Sequence, residues 1–135
     1  MILIDEILSY DGDSLLAAVT ITDASLFVTA EGVPGYVGIE YMAQACGAYA
    51  GAQSLDSGEP VRIGLLLGSR NYRVTVPRFS RGERLLISAR MIFRDDPLAA
   101  FACSITLGTQ VVAEAELNVY YGDDDHLRVL QGSAQ

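Results

Sequence analysis

The sequence predicts an α+β domain in which one long buried helix packs against a curled antiparallel sheet. Residues 36–54 contain no proline, are rich in Ala, Met, Tyr and Gln, and exceed the length of an ordinary strand. Apolar residues surround this helix on nearly every face, so another layer must cover it. The rest of the chain, residues 61–121, alternates apolar and polar residues at strand lengths and can supply that layer.

The elements follow one another in a simple order. The β-rich runs 2–10 and 14–22 flank Asp11-Gly12-Asp13, which supplies a tight turn and predicts a hairpin. Residues 23–35 are irregular, and a loop covers 55–60. Five further strands are predicted at 61–67, 70–77, 83–94, 98–107 and 110–121, separated by Gly, Asp and Pro residues. We therefore expect one domain over 1–121 and a polar, mobile tail over 122–135.

The composition of the chain excludes several classes of protein function. The chain has 135 residues, half of them hydrophobic, which suits one domain with a substantial core. The net charge of -8 argues against a general nucleic-acid binder. We read no membrane span and no signal peptide, so a cytoplasmic protein without membrane partners is expected. Cys46 and Cys103 lie in apolar runs without CxxC spacing, and His126 is the only histidine, so we expect reduced core thiols and neither metal nor cofactor.

Arginine supplies all nine basic residues, and five of the nine fall within residues 70–84, where Glu83 is the only acid. This cluster is a candidate site for an anionic partner or a phosphate. The alternative is a solvated strand face whose arginines pair with acids elsewhere in the fold.

Glu40 is the most informative residue because it lies one turn into an otherwise apolar helix. A carboxylate there must be paired, open to a cleft, or protonated, and a protonated carboxyl is the form that acts as a general acid. The alternative is a structural ion pair with a strand arginine. Pro34-Gly35 opens the helix and is expected to leave unpaired amides there, so a thioester carbonyl could approach the Gly35 backbone closely.

The segment 33–44, Val-Pro-Gly-Tyr-Val-Gly-Ile-Glu-Tyr-Met-Ala-Gln, resembles the Pro-Gly, acid and Ala-Gln segment of bacterial 3-hydroxyacyl-acyl-carrier-protein dehydratases. Residues 2–8, Ile-Leu-Ile-Asp-Glu-Ile-Leu, resemble the first strand of that family. Together with residues 63–70, Ile-Gly-Leu-Leu-Leu-Gly-Ser-Arg, the helix segment is still more similar to the dehydratase-like proteins encoded with aryl-polyene clusters.

The resemblance implies a hotdog fold, a dimer with active sites between protomers, and reversible elimination of water from a 3-hydroxyacyl group on an acyl carrier protein or coenzyme A. It implies that Glu40 protonates the leaving hydroxyl and that Gly35 binds the thioester carbonyl. Substrate contacts are expected from Gln44, Phe27 and Pro34. Contacts to the carrier or its phosphopantetheine phosphate are expected from Arg78, Arg81 and Arg84.

The chain departs from this family at the catalytic histidine, which the better-known enzymes place fourteen residues before the acid. Leu26 stands there, within Ser25-Leu26-Phe27, and leucine cannot act as a base. His126 lies in the predicted tail and is a poor replacement. Three interpretations remain: an acid-bearing subunit completed by a histidine-bearing hotdog partner, a hotdog thioesterase, or a non-catalytic acyl-binding or stabilising subunit.

A second departure concerns the N-terminus. In the family a Pro-His-rich segment precedes the aliphatic pair that here follows Met1 directly. The native start is therefore expected to lie upstream.

Overall fold

The structure, a computed structural model, describes residues 3–58 and 63–122. The helix α1 runs from Gly38 to Ser57 and follows a single 3-10 turn, Gly35–Val37. The strands are β1 (Glu6–Tyr10), β2 (Ser14–Thr20), β3 (Val33–Pro34), β4 (Ile63–Val74), β5 (Arg78–Phe79), β6 (Arg84–Asp95), β7 (Leu98–Leu107) and β8 (Gln110–Gly122).

Six of the strands form one antiparallel sheet in the order β1-β2-β6-β7-β8-β4, and β3 pairs separately with β5. The helix packs on this sheet, which confirms the predicted architecture. Because β1 and β4 each pair on one side only, they are the two edges of the sheet.

Strand β4 differs from the prediction, which placed two strands at 61–67 and 70–77 with a break at Gly68. The structure has one strand, because Gly68 stays in the ladder opposite Asn118 of β8. The register shifts between Leu66 and Gly68 and again between Arg70 and Arg73. Such bulges absorb an extra residue and bend a strand without ending it.

The sheet-facing side of α1 is held by aromatic rings with polar tips. The ring of Tyr49 meets that of Phe101 edge-on, with centroids 5.3 Å apart, and its hydroxyl donates to the Gly12 carbonyl at 2.5 Å. From β8, the Tyr121 hydroxyl donates to the carbonyl of Cys46 at 2.8 Å. Each contact joins apolar packing to a directed hydrogen bond, which fixes the depth and rotation of the helix.

The predicted thiols are both free and buried. Cys46 on α1 and Cys103 on β7 lie with their Sγ atoms 3.7 Å apart. The predicted tail and His126 fall outside the described residues. Within 3–58 and 63–122, no helix is long and apolar enough to cross a membrane.

Core tyrosines predict a loss of stability at alkaline pH. Burial, with a smaller contribution from Asp5, raises the pKa of Tyr41 to about 12, and burial also raises the pKa of Tyr49. An unfolded tyrosine ionises near pH ~10, whereas the folded side chain keeps its proton, so this stabilisation is complete below pH ~10 and is lost as pH rises towards 12. We expect the free energy of unfolding, measured by denaturant titration, to fall above pH ~10 by up to about 1.4 kcal/mol per pH unit for each such tyrosine.

Tyr41→Phe should make this decline shallower, since phenylalanine has no proton to lose. The matched control is Tyr36→Phe at an exposed position, which should leave the slope unchanged. An equal slope in wild type and Tyr41→Phe would contradict the assignment.

Candidate active site

The segment after β4 fixes the start of the helix. Pro34 pairs with Arg78 in the short β3–β5 ladder. The Gly35 amide donates to the Pro77 carbonyl at 2.9 Å, and the Tyr72 hydroxyl donates to the Gly35 carbonyl at 2.5 Å. Both the amide and the carbonyl of Gly35 are therefore held, by Pro77 just after β4 and by Tyr72 within β4.

These contacts correct the expectation for Gly35. Its amide is already hydrogen-bonded to the protein, so it is not the unpaired donor that the Pro-Gly step suggested. The close backbone approach that glycine permits is also used internally: a Cβ atom on Gly35 would lie 2.6 Å from the Val76 carbonyl oxygen. The next amide along the turn belongs to Tyr36, a residue with 73% of its surface exposed.

Glu40 lies in the first turn of α1 and opens into a cleft of about 300 Å³, which we call the Glu40 cleft. Leu3, Leu66 and Val119 contribute apolar wall, and Gly64 from the edge strand β4 completes one side. The Glu40 side chain is exposed, and in the described part of the chain it forms no ion pair. Of the arrangements that the sequence left open for Glu40, the structure shows a position at the border of a cleft.

Gln44 shapes this cleft from the next turn of the helix. Its Oε1 atom accepts hydrogen bonds from the amides of Leu3, at 2.7 Å, and Ile4, at 3.1 Å. The N-terminal segment is thereby held across α1, and Leu3 becomes a wall beside Glu40. Gln44 thus borders the cleft as a residue that secures its wall, and its predicted contact with substrate remains a proposal.

Leu26 lies at a second cleft of about 200 Å³, the Tyr41 cleft, which the sequence did not indicate. Leu26 is 42% exposed there, and the neighbouring Phe27 is 47% exposed with a φ of 65°. The residues around the Tyr41 cleft are Leu3, Asp5, Val19, Thr20, Thr22, Ala24, Ser25, Leu26 and Tyr41. The only sequence signal for this cleft was Tyr41 itself, next to Glu40. An aromatic residue in an apolar helix is usually a core residue, so the signal did not indicate a cleft.

The arginines predicted to bind a carrier are paired within the chain. The ion pairs are Arg78 with Glu31 at 3.4 Å, Arg81 with Asp23, and Arg84 with Glu6 at 2.9 Å. Arg81 also donates to the carbonyls of Thr29, at 2.7 Å, and Ala30, at 3.1 Å, and so ties down the loop before β3. The structure therefore shows the pairing with acids distant in sequence that the sequence left open as the alternative, and contact of these three arginines with a carrier remains a proposal.

The long helix on a six-stranded antiparallel sheet places the chain among hotdog-fold proteins. It is similar in structure to smu.793 from Streptococcus mutans UA159 bound to acetyl CoA, with a TM-score of 0.69, 15% identity, and coverage of 87% of this chain and 88% of that chain. It is likewise similar to the E. coli PaaI protein from the phenylacetic acid degradation operon, with a TM-score of 0.68, 13% identity, and coverage of 87% and 78%. At these identities the likeness concerns the fold alone.

A family model places the chain in a narrower group than the hotdog fold does. Residues 1–131 match the model of the ApeP-like family, described as ApeP dehydratase, and the chain belongs to this family. The dehydratase heterocomplex ApeI:P from Xenorhabdus doucetiae contains a chain that is 27% identical, with a TM-score of 0.89 over 96% of this chain and 88% of that chain. A comparison with curated protein sequences finds no match.

Proposed function

We propose that this chain is the acid-bearing subunit of a 3-hydroxyacyl-thioester dehydratase and that a second hotdog subunit supplies the histidine. The observation that carries the proposal is that Glu40 lines an apolar cleft without an ion pair in the described chain. In addition, a leucine, Leu26, stands where the resemblance to the dehydratases places their catalytic histidine. The similarity to a chain of a dehydratase heterocomplex supports an assembly of two different subunits.

Dehydration needs two groups, and the chain offers one of them. A base removes the proton from C2 of the 3-hydroxyacyl group, the electron pair forms the C2–C3 double bond, and the C3–O bond breaks. The departing hydroxyl takes a proton from an acid and leaves as water. Glu40 is that acid in our proposal, and the histidine of the partner subunit is the base, whose proton then returns to Glu40 through solvent.

The surroundings of Glu40 suit a thioester. The apolar walls formed by Leu3, Leu66 and Val119 can take an acyl chain. Because the Gly35 amide is bonded to Pro77, we assign the hydrogen bond to the thioester carbonyl to the amide of the exposed residue Tyr36 in the same turn. The proposed contacts from Pro34 and Phe27 are secondary to this one.

The partner subunit is proposed to bind along the edge strand β4. Gly64 and Leu66 of this strand line the Glu40 cleft, and Leu65 and Leu67 beside them are exposed apolar residues. A second sheet adding along β4 would pair its free backbone groups and bury these leucines. It would also cover the cleft, which brings a residue of the partner towards Glu40.

The acyl group would arrive on an acyl carrier protein or on coenzyme A. Arg78, Arg81 and Arg84 would have to exchange their internal acids for a phosphate or a carrier carboxylate. These ion pairs are exposed and individually weak, so the exchange costs little at Arg78 and Arg84. Arg81 is a poorer candidate because it also holds backbone carbonyls.

The test is complementation. The chain is purified alone and together with the histidine-bearing hotdog subunit that the proposal expects to be encoded beside it, and formation of the 2-enoyl thioester from a 3-hydroxyacyl thioester is followed by absorbance. We expect almost no dehydration by the chain alone and activity from the two together, with the size of the complex measured by light scattering.

The partner alone is the control, and it should be much less active than the complex. Efficient dehydration by this chain as a homodimer would overturn the proposal. Release of free thiol by the chain alone would instead favour the thioesterase interpretation, in which a carboxylate activates water without histidine.

A further inference from the structure

The Tyr41 cleft is separate from the proposed dehydration site. Among the described residues, Leu3 alone borders both the Glu40 cleft and the Tyr41 cleft. Leu26, at the position of the family's base, borders the Tyr41 cleft but offers no base, and the proposed reaction uses none of the polar groups around Tyr41. Its volume of about 200 Å³ equals the share of roughly seven water molecules in the liquid, so it can hold a ligand of about that many heavy atoms.

Tyr41 presents a hydroxyl group to this cleft. The side chain is buried, with 1% of its surface exposed, and no residue in 3–58 or 63–122 forms a hydrogen bond with its hydroxyl. Among the described residues, no side-chain oxygen or nitrogen is both sealed from solvent and unpartnered. The Tyr41 hydroxyl therefore reaches the opening that the residue borders, as a hydrogen-bond donor that the protein itself does not satisfy.

The other polar groups of the cleft complement this donor. Asp5 uses Oδ2 to accept a hydrogen bond from the Thr20 amide at 2.7 Å, and its second oxygen has no donor among the described residues. Ser25 Oγ accepts from the Thr22 amide at 2.8 Å, which leaves its hydroxyl proton available. Leu3, Val19 and Leu26 supply the apolar remainder. The cleft thus combines a neutral hydrogen-bond donor, a carboxylate acceptor and apolar walls.

We propose that the Tyr41 cleft binds a neutral molecule, or the end of an acyl chain, whose polar group is a hydroxyl. The hydroxyl oxygen accepts from Tyr41 while its proton is donated to Asp5. A carboxylate ligand would be repelled by Asp5, and an ammonium group has no lone pair with which to accept from Tyr41. The neighbouring hydroxyls of Thr20 and Ser25 orient the ligand, and the apolar walls take its carbon skeleton.

Cyclohexanol, which has seven heavy atoms, is a suitable probe. Titrated into the ¹⁵N-labelled chain, it should shift the backbone amide signals of Thr20, Thr22 and Ser25. These shifts should saturate with cyclohexanol concentration and so give a dissociation constant. Tyr41→Phe, which removes only the hydroxyl, should weaken this binding about 10-fold, the usual value of one hydrogen bond in a partly enclosed site. Tyr120→Phe removes a hydroxyl from a tyrosine that does not line the cleft and should bind cyclohexanol as the wild type does.

Asp5→Asn gives an independent test should Tyr41→Phe fold poorly, because Asp5 lies at an exposed position. It should also weaken cyclohexanol binding. Cyclohexylammonium and cyclohexanecarboxylate, matched to the probe in size, should bind less tightly than cyclohexanol to the wild-type chain.

A competition experiment distinguishes the two possible ligands, the end of an acyl chain and a free alcohol. A 3-hydroxyacyl thioester of N-acetylcysteamine that competes with cyclohexanol identifies a chain end as the ligand, and failure to compete identifies a free alcohol. Equal affinity in wild type and both variants, tighter binding of either ion, or shifts confined to residues of the Glu40 cleft would overturn the proposal. None of these measurements depends on turnover, so their outcome is independent of the proposed dehydratase function.

Discussion

Replacing Glu40 with glutamine is expected to lower dehydration by the proposed two-subunit complex about 100- to 10,000-fold, the range that a positioned general acid contributes. Glutamine keeps the size of the side chain but has no carboxyl proton to give to the leaving hydroxyl. The free energy of unfolding should change by less than about 0.5 kcal/mol, because the side chain is exposed and has no ion pair in the described residues. Steady-state kinetics and denaturant titration measure the two effects.

Glu114→Gln is the matched control, since Glu114 is an exposed acid on β8 that does not line the Glu40 cleft. It should leave both activity and stability unchanged. Equal activity of Glu40→Gln and wild type in the complex would remove Glu40 from the mechanism. A loss of about 3 to 5 kcal/mol in stability would instead indicate that Glu40 belongs to a buried ion pair.

Replacing Gly32 with alanine is expected to destabilise the fold by about 3 kcal/mol or more. Gly32 has a φ of 112°, where a residue with a side chain is strained. In addition, a Cβ atom there would lie 2.5 Å from the carbonyl oxygen of Phe79, a backbone atom of β5 that cannot rotate away. Both penalties fall on the loop that leads into β3 and the start of the helix.

Gly82→Ala separates the two penalties. Gly82 also has a positive φ, 87°, but a Cβ atom there would meet nothing within 4 Å. It should lose only the conformational contribution, on the order of 1 to 2 kcal/mol. Equal losses for the two variants, measured by denaturant titration, would show that contact with Phe79 adds no cost at Gly32.

The sequence predicted the buried helix correctly, but both of its ends differ from the structure. An apolar pattern all round the helix indicated burial under a sheet, which is what the structure shows. The prediction of 36–54 included part of the 3-10 turn Gly35–Val37, because the pattern of apolar residues does not distinguish the two kinds of helix. At the other end the helix continues to Ser57 and stops at Gly58, whose φ of 73° caps it.

The sequence singles out Glu40 as a candidate site residue, but it does not predict which residues surround the site or pair within it. Glu40 stands out in sequence because it is the single acid in the apolar stretch 36–54. The partner of the Gly35 amide is Pro77, and the partner of Arg84 is Glu6, 78 positions away. No local pattern encodes such pairings, since the course of the chain through the sheet brings these residues together. The same limit explains why an open cleft beside Tyr41 could not be seen in advance.

The two halves of β4 also differ in how they would behave in a crowded cell. The second half carries Arg70 and Arg73 and a shift in register between them, and charge and bulges are the means by which proteins keep edge strands from joining one another. The half around Leu65–Leu67 is exposed and apolar and carries no charge. We therefore expect copies of this chain to associate strand to strand through this half when nothing covers it, and matched production of the proposed partner subunit would prevent that association.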